Sequence, residues 1–359
     1  MKIRTVILDH NKDYLGRILT FFQQQYGDKL DLFSFSENSL FYEFFENNKV
    51  DVCLVDSEII IDESKISSQC AIVYLVDTRE IENYKGRPTI FKYQKASQIY
   101  KEIINIASDK ISNVIFRKND TKVEIVVFTS AKGGVGVTTT ALAFSFSKAR
   151  SGKKVFYLNL ETLGDTSLYL NGEGNMTFSD VLFNIKSRKS NILLKMEGAV
   201  KTDSSLVDYF ESSRNPYDRL EMTKKDQEIL IENIIQMKDY DYIVIDTSLI
   251  LDDAFSQIIM NYATSVVLVS DGTINSNCKL SKLINIFKIW EQKIEQDILG
   301  RAYLLYNRYS STCGKQLEGL PIKLLGGIQK FEKATDKQII NEISFMEIIK
   351  DMEFGGEWQ

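Results

Sequence analysis

The sequence predicts an α/β protein built from two doubly wound parallel sheets, and three observations indicate this. Between residues 1 and 107, short apolar strands alternate with amphipathic helices, which is the order of parallel β-α-β units. A second alternation begins with KVEIVVFTSAKGGVGVTTTA (residues 122–141), where an apolar strand leads through a glycine-rich turn into a helix. A later apolar strand, DYDYIVID, ends in a carboxylate. We therefore predict domains at residues 1–110 and 122–359, joined by a polar linker at 111–121.

Length and composition limit the class of protein. A chain of 359 residues is long enough for two domains. The net charge of −5 argues against a protein built mainly to bind nucleic acid. The four cysteines have no metal-like spacing, and no apolar run approaches the ~18–20 residues of a membrane span. The N-terminus leads directly into a strand, so we expect a cytoplasmic protein without a signal peptide.

Polar side chains of the first domain gather after its strands. Strands are predicted at Ile3–Leu8, Asp31–Phe35, Val50–Val55, Ala71–Val76 and Thr89–Phe91, with helices following a cap at Asn11 and over Ser39–Glu46 and Ala96–Ala107. Asp9, Asp56 and Lys92 each follow such a strand. Because ligands of doubly wound sheets bind beyond the carboxyl ends of the strands, we expect these three side chains to lie together.

This arrangement resembles a response-regulator receiver domain, which has a flavodoxin-like fold, over roughly residues 1–110. Asp56 matches the phosphoacceptor, Asp9 one of the acidic Mg²⁺ ligands, and Lys92 the lysine after the fifth strand. His10 stands at the second acidic position, which removes an oxygen ligand. Little room remains between Val76 and Thr89 for the usual fourth helix. Two interpretations stay open: a docking or dimerisation module, which these departures favour, and a phosphoswitch acting through Asp56.

The glycine-rich turn of the second domain is typical of a polyphosphate site. Glycines let several backbone N–H groups point at one anion, and the helix N-terminus adds a partial positive charge. Thr138 stands where the P-loop motif has its Mg²⁺-binding hydroxyl. Ala131 replaces the first glycine of the strict motif, and Val137 replaces the lysine that reaches the β- and γ-phosphates. We expect nucleotide binding to survive this loss better than phosphoryl transfer.

Later strands add carboxylates at the same predicted edge. Further strands are predicted at Lys154–Leu160, Asp239–Asp246, Ser265–Ser270 and Arg301–Tyr306, and a helix at Asn277–Glu295. Glu161 follows the first of these strands, and Asp246 ends the second. A nucleoside-triphosphatase needs an acidic group beside Mg²⁺ at such a strand end.

The second domain resembles the deviant P-loop ATPases of the MinD/ParA class over essentially residues 123–350. AKGGVGVTT matches their KGGxGK[ST]T loop, with Lys132 as the signature lysine. Asp246 matches the acidic residue of switch II, Glu161 the switch I aspartate that orients water, and Asn159 stands at another aspartate position. The resemblance implies catalytic roles for Lys132, Glu161 and Asp246, and Mg²⁺ binding by Thr138 and Asp246. It implies ATP binding by Lys132, Gly133, Gly134, Val135, Gly136, Val137, Thr138, Thr139, Asn307 and Arg308, with Asn307 reading adenine.

A degraded receiver joined to such an ATPase resembles the TadZ/CpaE branch of Tad/Flp pilus-assembly proteins. This resemblance implies a slowly hydrolysing homodimer in which Lys132 reaches the partner subunit's nucleotide. It also implies binding to pilus or secretion assembly proteins, with recruitment to a pole or a membrane-bound assembly. Three alternatives stay open: a non-hydrolysing ATP-bound scaffold, a ParA-like partitioning ATPase and a receiver-regulated signalling protein. The acidic C-terminal segment SFMEIIKDMEFGGEWQ is expected to pack on the domain or a partner rather than anchor in a membrane.

Overall fold

The structure, a computed structural model, describes residues 2–110, 123–187, 191–248, 258–310 and 314–354. The predicted linker at 111–121 lies outside the described residues. The chain divides into two compact units, the first comprising residues 1–118 and 183–199 and the second residues 119–182 and 200–359. The sequence-based boundaries did not foresee that residues 183–199 join the first unit.

The strands and helices alternate in both units. In chain order they are β1 (Ile3–Leu8), α1 (Lys12–Tyr26), β2 (Leu30–Phe35), α2 (Asn38–Asn47), β3 (Val52–Asp56), β4 (Ala71–Val76), β5 (Asn83–Tyr84), β6 (Arg87–Phe91), α3 (Ala96–Lys110), β7 (Glu124–Thr129), α4 (Val137–Arg150), β8 (Val155–Asn159), α5 (Phe178–Lys186), α6 (Ile192–Ala199), β9 (Val200–Thr202), β10 (Val207–Phe210), α7 (Tyr217–Leu220), α8 (Lys224–Met237), β11 (Tyr242–Asp246), β12 (Ser265–Ser270), α9 (Ile274–Ile294), β13 (Ala302–Tyr309), β14 (Lys323–Gln329), α10 (Asp336–Ser344) and α11 (Glu347–Lys350). Among these described helices, none is long and apolar enough to cross a membrane.

The sheet of the first unit has the order β2-β1-β3-β4-β6-β5, and only β5 pairs antiparallel. Strands β3 and β4 are buried along their whole length, which explains their continuous apolar sequences. The side chain of Asn11 accepts a hydrogen bond from the Tyr14 N–H (3.0 Å) and starts α1, as predicted. The stretch between β4 and β6, where little room for a fourth helix was predicted, contains the short strand β5, which pairs antiparallel with β6.

Helix α6 belongs to the first unit and packs on α3. The side chain of Leu194 is fully buried in the apolar cluster formed with α1 and α3. The buried carboxylate of Glu197 accepts a hydrogen bond from the Tyr100 hydroxyl (2.6 Å) and pairs with Lys29. A Cβ atom at Gly198 would collide with Asn105, so the two helices approach closely at this point.

The sheet of the second unit has the order β14-β13-β12-β7-β11-β8-β10-β9, and only β9 pairs antiparallel. The two sheets confirm the predicted fold class. Helix α4 is buried against the sheet, and α10 and α11 cover it. The ring of Phe354 packs against Phe144 (5.7 Å between centroids) and Tyr303 (5.0 Å), so the described part of the C-terminal segment packs on its own unit, as expected.

Strand β13 extends beyond its predicted end at Tyr306 and finishes at Tyr309. Asn307 and Arg308 therefore lie within the strand rather than after it. Arg308 has a φ of +56°, in the left-handed region, and the pairing with β14 shifts register between Tyr306 and Tyr309. This irregularity is a β-bulge, which changes the direction of side chains at the edge of a sheet.

We expect Leu194→Ala to destabilise the first unit by about 2–5 kcal/mol, because a fully buried leucine is replaced by a cavity between α6 and α3. Hydrogen exchange of the α3 amides in the full chain would measure the change. Leu40→Ala is the matched control, since Leu40 is 51% exposed on α2, and its effect should stay within ~0.5 kcal/mol. Equal protection in both variants would show that α6 does not stabilise this unit.

Candidate functional site

The glycine-rich loop connects β7 to α4 at the carboxyl edge of the second sheet. Gly134 and Gly136 have φ values of +77° and +90°, which other residues adopt only with strain. A Cβ atom at Gly133 or Gly134 would meet no atom within 4 Å, so the outer surface of the loop is open. The N–H groups of the first turn of α4 have no acceptor within the helix, because that turn has no preceding residues to bond. The loop thus offers backbone donors around an open space, which fits a polyphosphate.

Strand β13 fixes the shape of this loop. The side-chain amide of Asn307, which is 3% exposed, donates to the carbonyl of Val135 (2.8 Å), and Arg308 Nη1 donates to the carbonyl of Gly134 (3.1 Å). A Cβ atom at Gly136 would collide with the Asn307 amide. Both residues of the Asn-Arg pair therefore contact the loop itself, and the recognition of adenine by Asn307 stays a prediction.

The ammonium group of Lys132 points toward the end of β12. Its Nζ atom lies 2.5 Å from Asp271 Oδ2 and 3.3 Å from Thr273 Oγ1. Burial acts to raise the pKa of Asp271, but hydrogen bonds from Lys132, Ser276 and Thr273 hold it well below its usual range. Lys132 is thus bound within its own chain.

Asp246 and Thr138 place two oxygen atoms that could act as metal ligands beside the loop. The Asp246 carboxylate, which is 1% exposed, accepts a hydrogen bond from the hydroxyl group of Tyr157 (2.6 Å), and the Thr138 side chain lies close enough to lower its pKa. Burial raises the pKa of Asp246 to about 6, the charge of Glu161 adds to this, and Tyr157, Thr138 and Arg219 oppose it. A carboxylate and a hydroxyl are the ligand types that Mg²⁺ prefers, so these residues fit the ion.

The turn that carries Glu161 is held against the same edge. Asn159 Oδ1 accepts the N–H of Glu161 (2.8 Å), and the N–H of Leu160 donates to the carbonyl of Asp246 (2.7 Å). A Cβ atom at Gly164 would lie 2.5 Å from the Asn159 side chain, so the turn requires a glycine there. Asn159 orients the turn, and Glu161 is placed close enough to Asp246 to affect its pKa.

The structure gives Val137 a physical role. Its side chain packs against the apolar core cluster of the second unit. The position that usually carries a phosphate-binding lysine therefore contributes to the core here.

Because β7, β11 and β8 are neighbours, the predicted residues Thr138, Asp246 and Glu161 come together. Sequence reasoning missed Asp271, Tyr157 and Arg219. Asp271 directly follows a predicted strand, and the strand-end rule could have found it. Tyr157 resembles any buried strand residue, and Arg219 belongs to no motif.

The first unit carries the receiver-like cluster. Lys92 Nζ lies 2.6 Å from Asp9 Oδ2 and 2.6 Å from Asp56 Oδ2, and all three residues are buried. Burial opposes the charge of Lys92, but the hydrogen bonds to Asp56 and Asp9 outweigh it and raise the pKa of Lys92. The Tyr14 ring covers the ammonium group at 5.0 Å. His10 is exposed, and its Nδ1 atom lies 2.9 Å from the carbonyl oxygen of Ser36.

Comparisons with known proteins agree with this architecture. Residues 1–108 match the family model described as a TadZ-like receiver domain, and residues 123–299 match that of an AAA domain. The chain is 26% identical over 222 residues to a MinD-type septum site-determining protein of Mesostigma viride, covering 59% of this chain and 73% of the relative.

Two solved structures are also similar to the chain. A ParA family ATPase from Chlorobium tepidum is 18% identical and has a TM-score of 0.49, covering 62% of this chain and 99% of that protein. The MinD protein of Pyrococcus horikoshii, solved with Mg-ADP, is 19% identical and has a TM-score of 0.47, covering 62% of this chain and 95% of that protein.

The two family models and the MinD-type relative confirm the predicted resemblance. The chain combines a TadZ-like receiver domain at residues 1–108 with an AAA domain at residues 123–299, and it is similar to MinD-type proteins.

Proposed function

We propose that the second unit binds ATP with Mg²⁺ at the glycine-rich loop. The observation that carries this proposal is the closeness of Thr138 and Asp246, which places two oxygen ligands beside the open loop at the start of α4. Mg²⁺, when bound, supplies neutralisation of phosphate charge. The backbone donors of the loop would hold the phosphates, and Glu161 would orient the attacking water.

Hydrolysis should be slow. A hydrogen bond to a charged group contributes roughly 1.5–3 kcal/mol of stabilisation. The aliphatic side chain of Val137 cannot form such a bond to a phosphate, whereas a lysine could. The Val137 side chain packs against the core instead of reaching the phosphates. This also favours a second candidate function, a scaffold that binds ATP without hydrolysing it. Single-turnover release of phosphate separates the two candidates.

The proposed ATP-bound form is a homodimer. Large apolar side chains within three sequence positions of Glu161, Arg219 or Asp271 are 63–88% exposed, and they are Leu163, Tyr217, Leu220 and Ile274. Exposed apolar groups around a ligand site favour association with a second surface. In this dimer Lys132 would leave Asp271 and reach the partner subunit's nucleotide.

The proposed cellular role is localisation in Tad/Flp pilus assembly or secretion. The match of residues 1–108 to a TadZ-like receiver domain supports this role. The protein would act in the cytoplasm and bind pilus or secretion assembly proteins at a pole or a membrane-bound assembly. A ParA-like partitioning ATPase would instead show ATP-dependent, salt-sensitive DNA binding, which the net charge of −5 disfavours.

The first unit would serve as a docking module rather than a phosphoswitch. Lys92 contacts both Asp9 and Asp56, and its single positive charge offsets part of the negative charge that would otherwise attract a divalent cation. Because His10 occupies the position of the second acidic residue, the cluster of Asp9, Asp56 and Lys92 offers few oxygen ligands to a metal ion. Signalling through phosphorylated Asp56 is the competing proposal.

We predict that Mg²⁺-dependent ATP binding weakens as pH falls through about 6. The raised pKa means that Asp246 takes up a proton in this range, and protons compete with the metal, so affinity should fall up to ~10-fold per pH unit at lower pH. Calorimetric titration between pH 5 and 8 would measure this. ATP binding measured without Mg²⁺ is the control, and its affinity should change less with pH. Asp246→Asn should remove the Mg²⁺ dependence, and an unaltered pH profile in that variant would exclude Asp246 from the metal site.

We predict that Lys132→Ala reduces ATP-dependent dimerisation and lowers turnover at least ~10-fold, because the variant lacks the cation that would contact phosphate. Light scattering with and without ATP and a steady-state phosphate assay measure both effects. Lys282→Ala, on the exposed side of α9, should behave as the wild type. Unchanged ATP affinity, turnover and oligomeric state in Lys132→Ala would remove Lys132 from the site.

We predict that acetyl phosphate with Mg²⁺ leaves Asp56 unmodified, which mass spectrometry would show. If the wild type is labelled and Asp56→Asn abolishes the labelling, the result would instead support the phosphoswitch.

We predict that Lys92→Met destabilises the first unit by ~3–5 kcal/mol, because two buried carboxylates lose their counter-ion. Denaturant unfolding measures this change, and exposed Lys12→Met is the stability control.

A further inference from the structure

Arg219 lies on α7, which follows β10 and so begins at the same sheet edge as the nucleotide site. Strand β10 neighbours β8, and β8 neighbours β11, the strand of Asp246. The guanidinium carbon of Arg219 lies 4.4 Å from the centroid of the Phe178 ring, which is itself fully buried beside Phe210. The aromatic face holds the planar guanidinium in one orientation.

One nitrogen of this guanidinium is a hydrogen-bond donor without an acceptor in the described part of the chain. Arg219 Nη1 is buried and has no hydrogen-bond partner among the residues that the structure describes. Burial lowers the pKa of Arg219 to about 10, and the charges of Tyr157, Asp246 and Glu161 oppose this. A buried charged donor without an acceptor is costly, and such a group favours the approach of an anion.

The other two cations of the site are already engaged. Lys132 pairs with Asp271, and Arg308 donates to the carbonyl of Gly134. Arg219 alone among these three combines a buried unpaired nitrogen with closeness to Asp246 and Glu161. A guanidinium can donate two parallel hydrogen bonds to a phosphate, which a lysine cannot.

We propose that Arg219 binds the terminal phosphate of ATP within its own chain and so replaces the lysine that is absent at Val137. This inference rests on the proposed binding of ATP. The alternative is that Arg219 only neutralises Asp246 and Glu161. The two roles differ in one respect: a residue that contacts the terminal phosphate distinguishes ATP from ADP, whereas a neutralising residue affects both nucleotides alike.

The test measures ATP and ADP affinities by calorimetry in the full chain with Mg²⁺. Arg219→Gln should weaken ATP binding about 10- to 100-fold and ADP binding less than about 3-fold, since only ATP has the terminal phosphate. Arg219→Lys, which keeps a charge but not the paired donors, should lie between Arg219→Gln and the wild type. Arg214→Gln is the control on the same segment, with a side chain 67% exposed, and both affinities should stay within about 2-fold. Val137→Lys added to Arg219→Gln should restore ATP binding.

The outcomes separate this inference from the proposed function. If the wild type binds neither nucleotide, the proposed function and this inference both fail. If the wild type binds ATP and Arg219→Gln weakens both nucleotides equally or neither, ATP binding stands and Arg219 has no role at the terminal phosphate. Thermal unfolding shows whether Arg219→Gln is folded. If it is not, Arg219→Lys decides, because an unchanged preference for ATP over ADP in that variant overturns the inference.

Discussion

The buried carboxylate of Asp246 connects several elements of the second unit. Its backbone belongs to β11, its side chain accepts a hydrogen bond from Tyr157 on the neighbouring strand, and Thr138 on α4 lies close enough to lower its pKa. A carboxylate with almost no exposure requires such donors, because its desolvation is otherwise uncompensated. The side chains of two neighbouring strands, β8 and β11, are thereby joined next to the start of α4. Burial also brings the pKa of this carboxyl close to the physiological range.

The placement of positive charge distinguishes this site from an ordinary P-loop. The position that faces phosphate in the strict motif is occupied by Val137, which adds to the core instead. Lys132 and Arg308 lie close to the loop, but one is held by Asp271 and the other supports the loop backbone. Such an arrangement preserves the shape of the anion-binding turn while it reduces the charge available inside it. The shape of the turn and the charge inside it are therefore set by different residues.

Much of the fold and part of the site could be predicted from local sequence. The helix cap at Asn11 and the carboxylates after buried strands follow from rules that involve neighbouring residues, and the structure bears them out. The partner of Lys132 could not be predicted in this way, because Asp271 is 139 residues distant along the chain. The contact of Asn307 with Val135 spans 172 residues and depends on the bulge in β13. Periodicity describes one element at a time, whereas these contacts depend on how several elements pack.

The inclusion of α6 in the first unit has a consequence for synthesis on the ribosome. Residues 1–110 leave the ribosome well before Leu194 and Glu197 exist, although both residues complete the packing on α3. At roughly 5–20 residues per second, about 90 further residues take roughly 4–18 s to translate. During this interval the apolar face of α3 that later packs against α6 is uncovered. Such a surface is a target for chaperones, and the first unit reaches its final form only after part of the second has been translated.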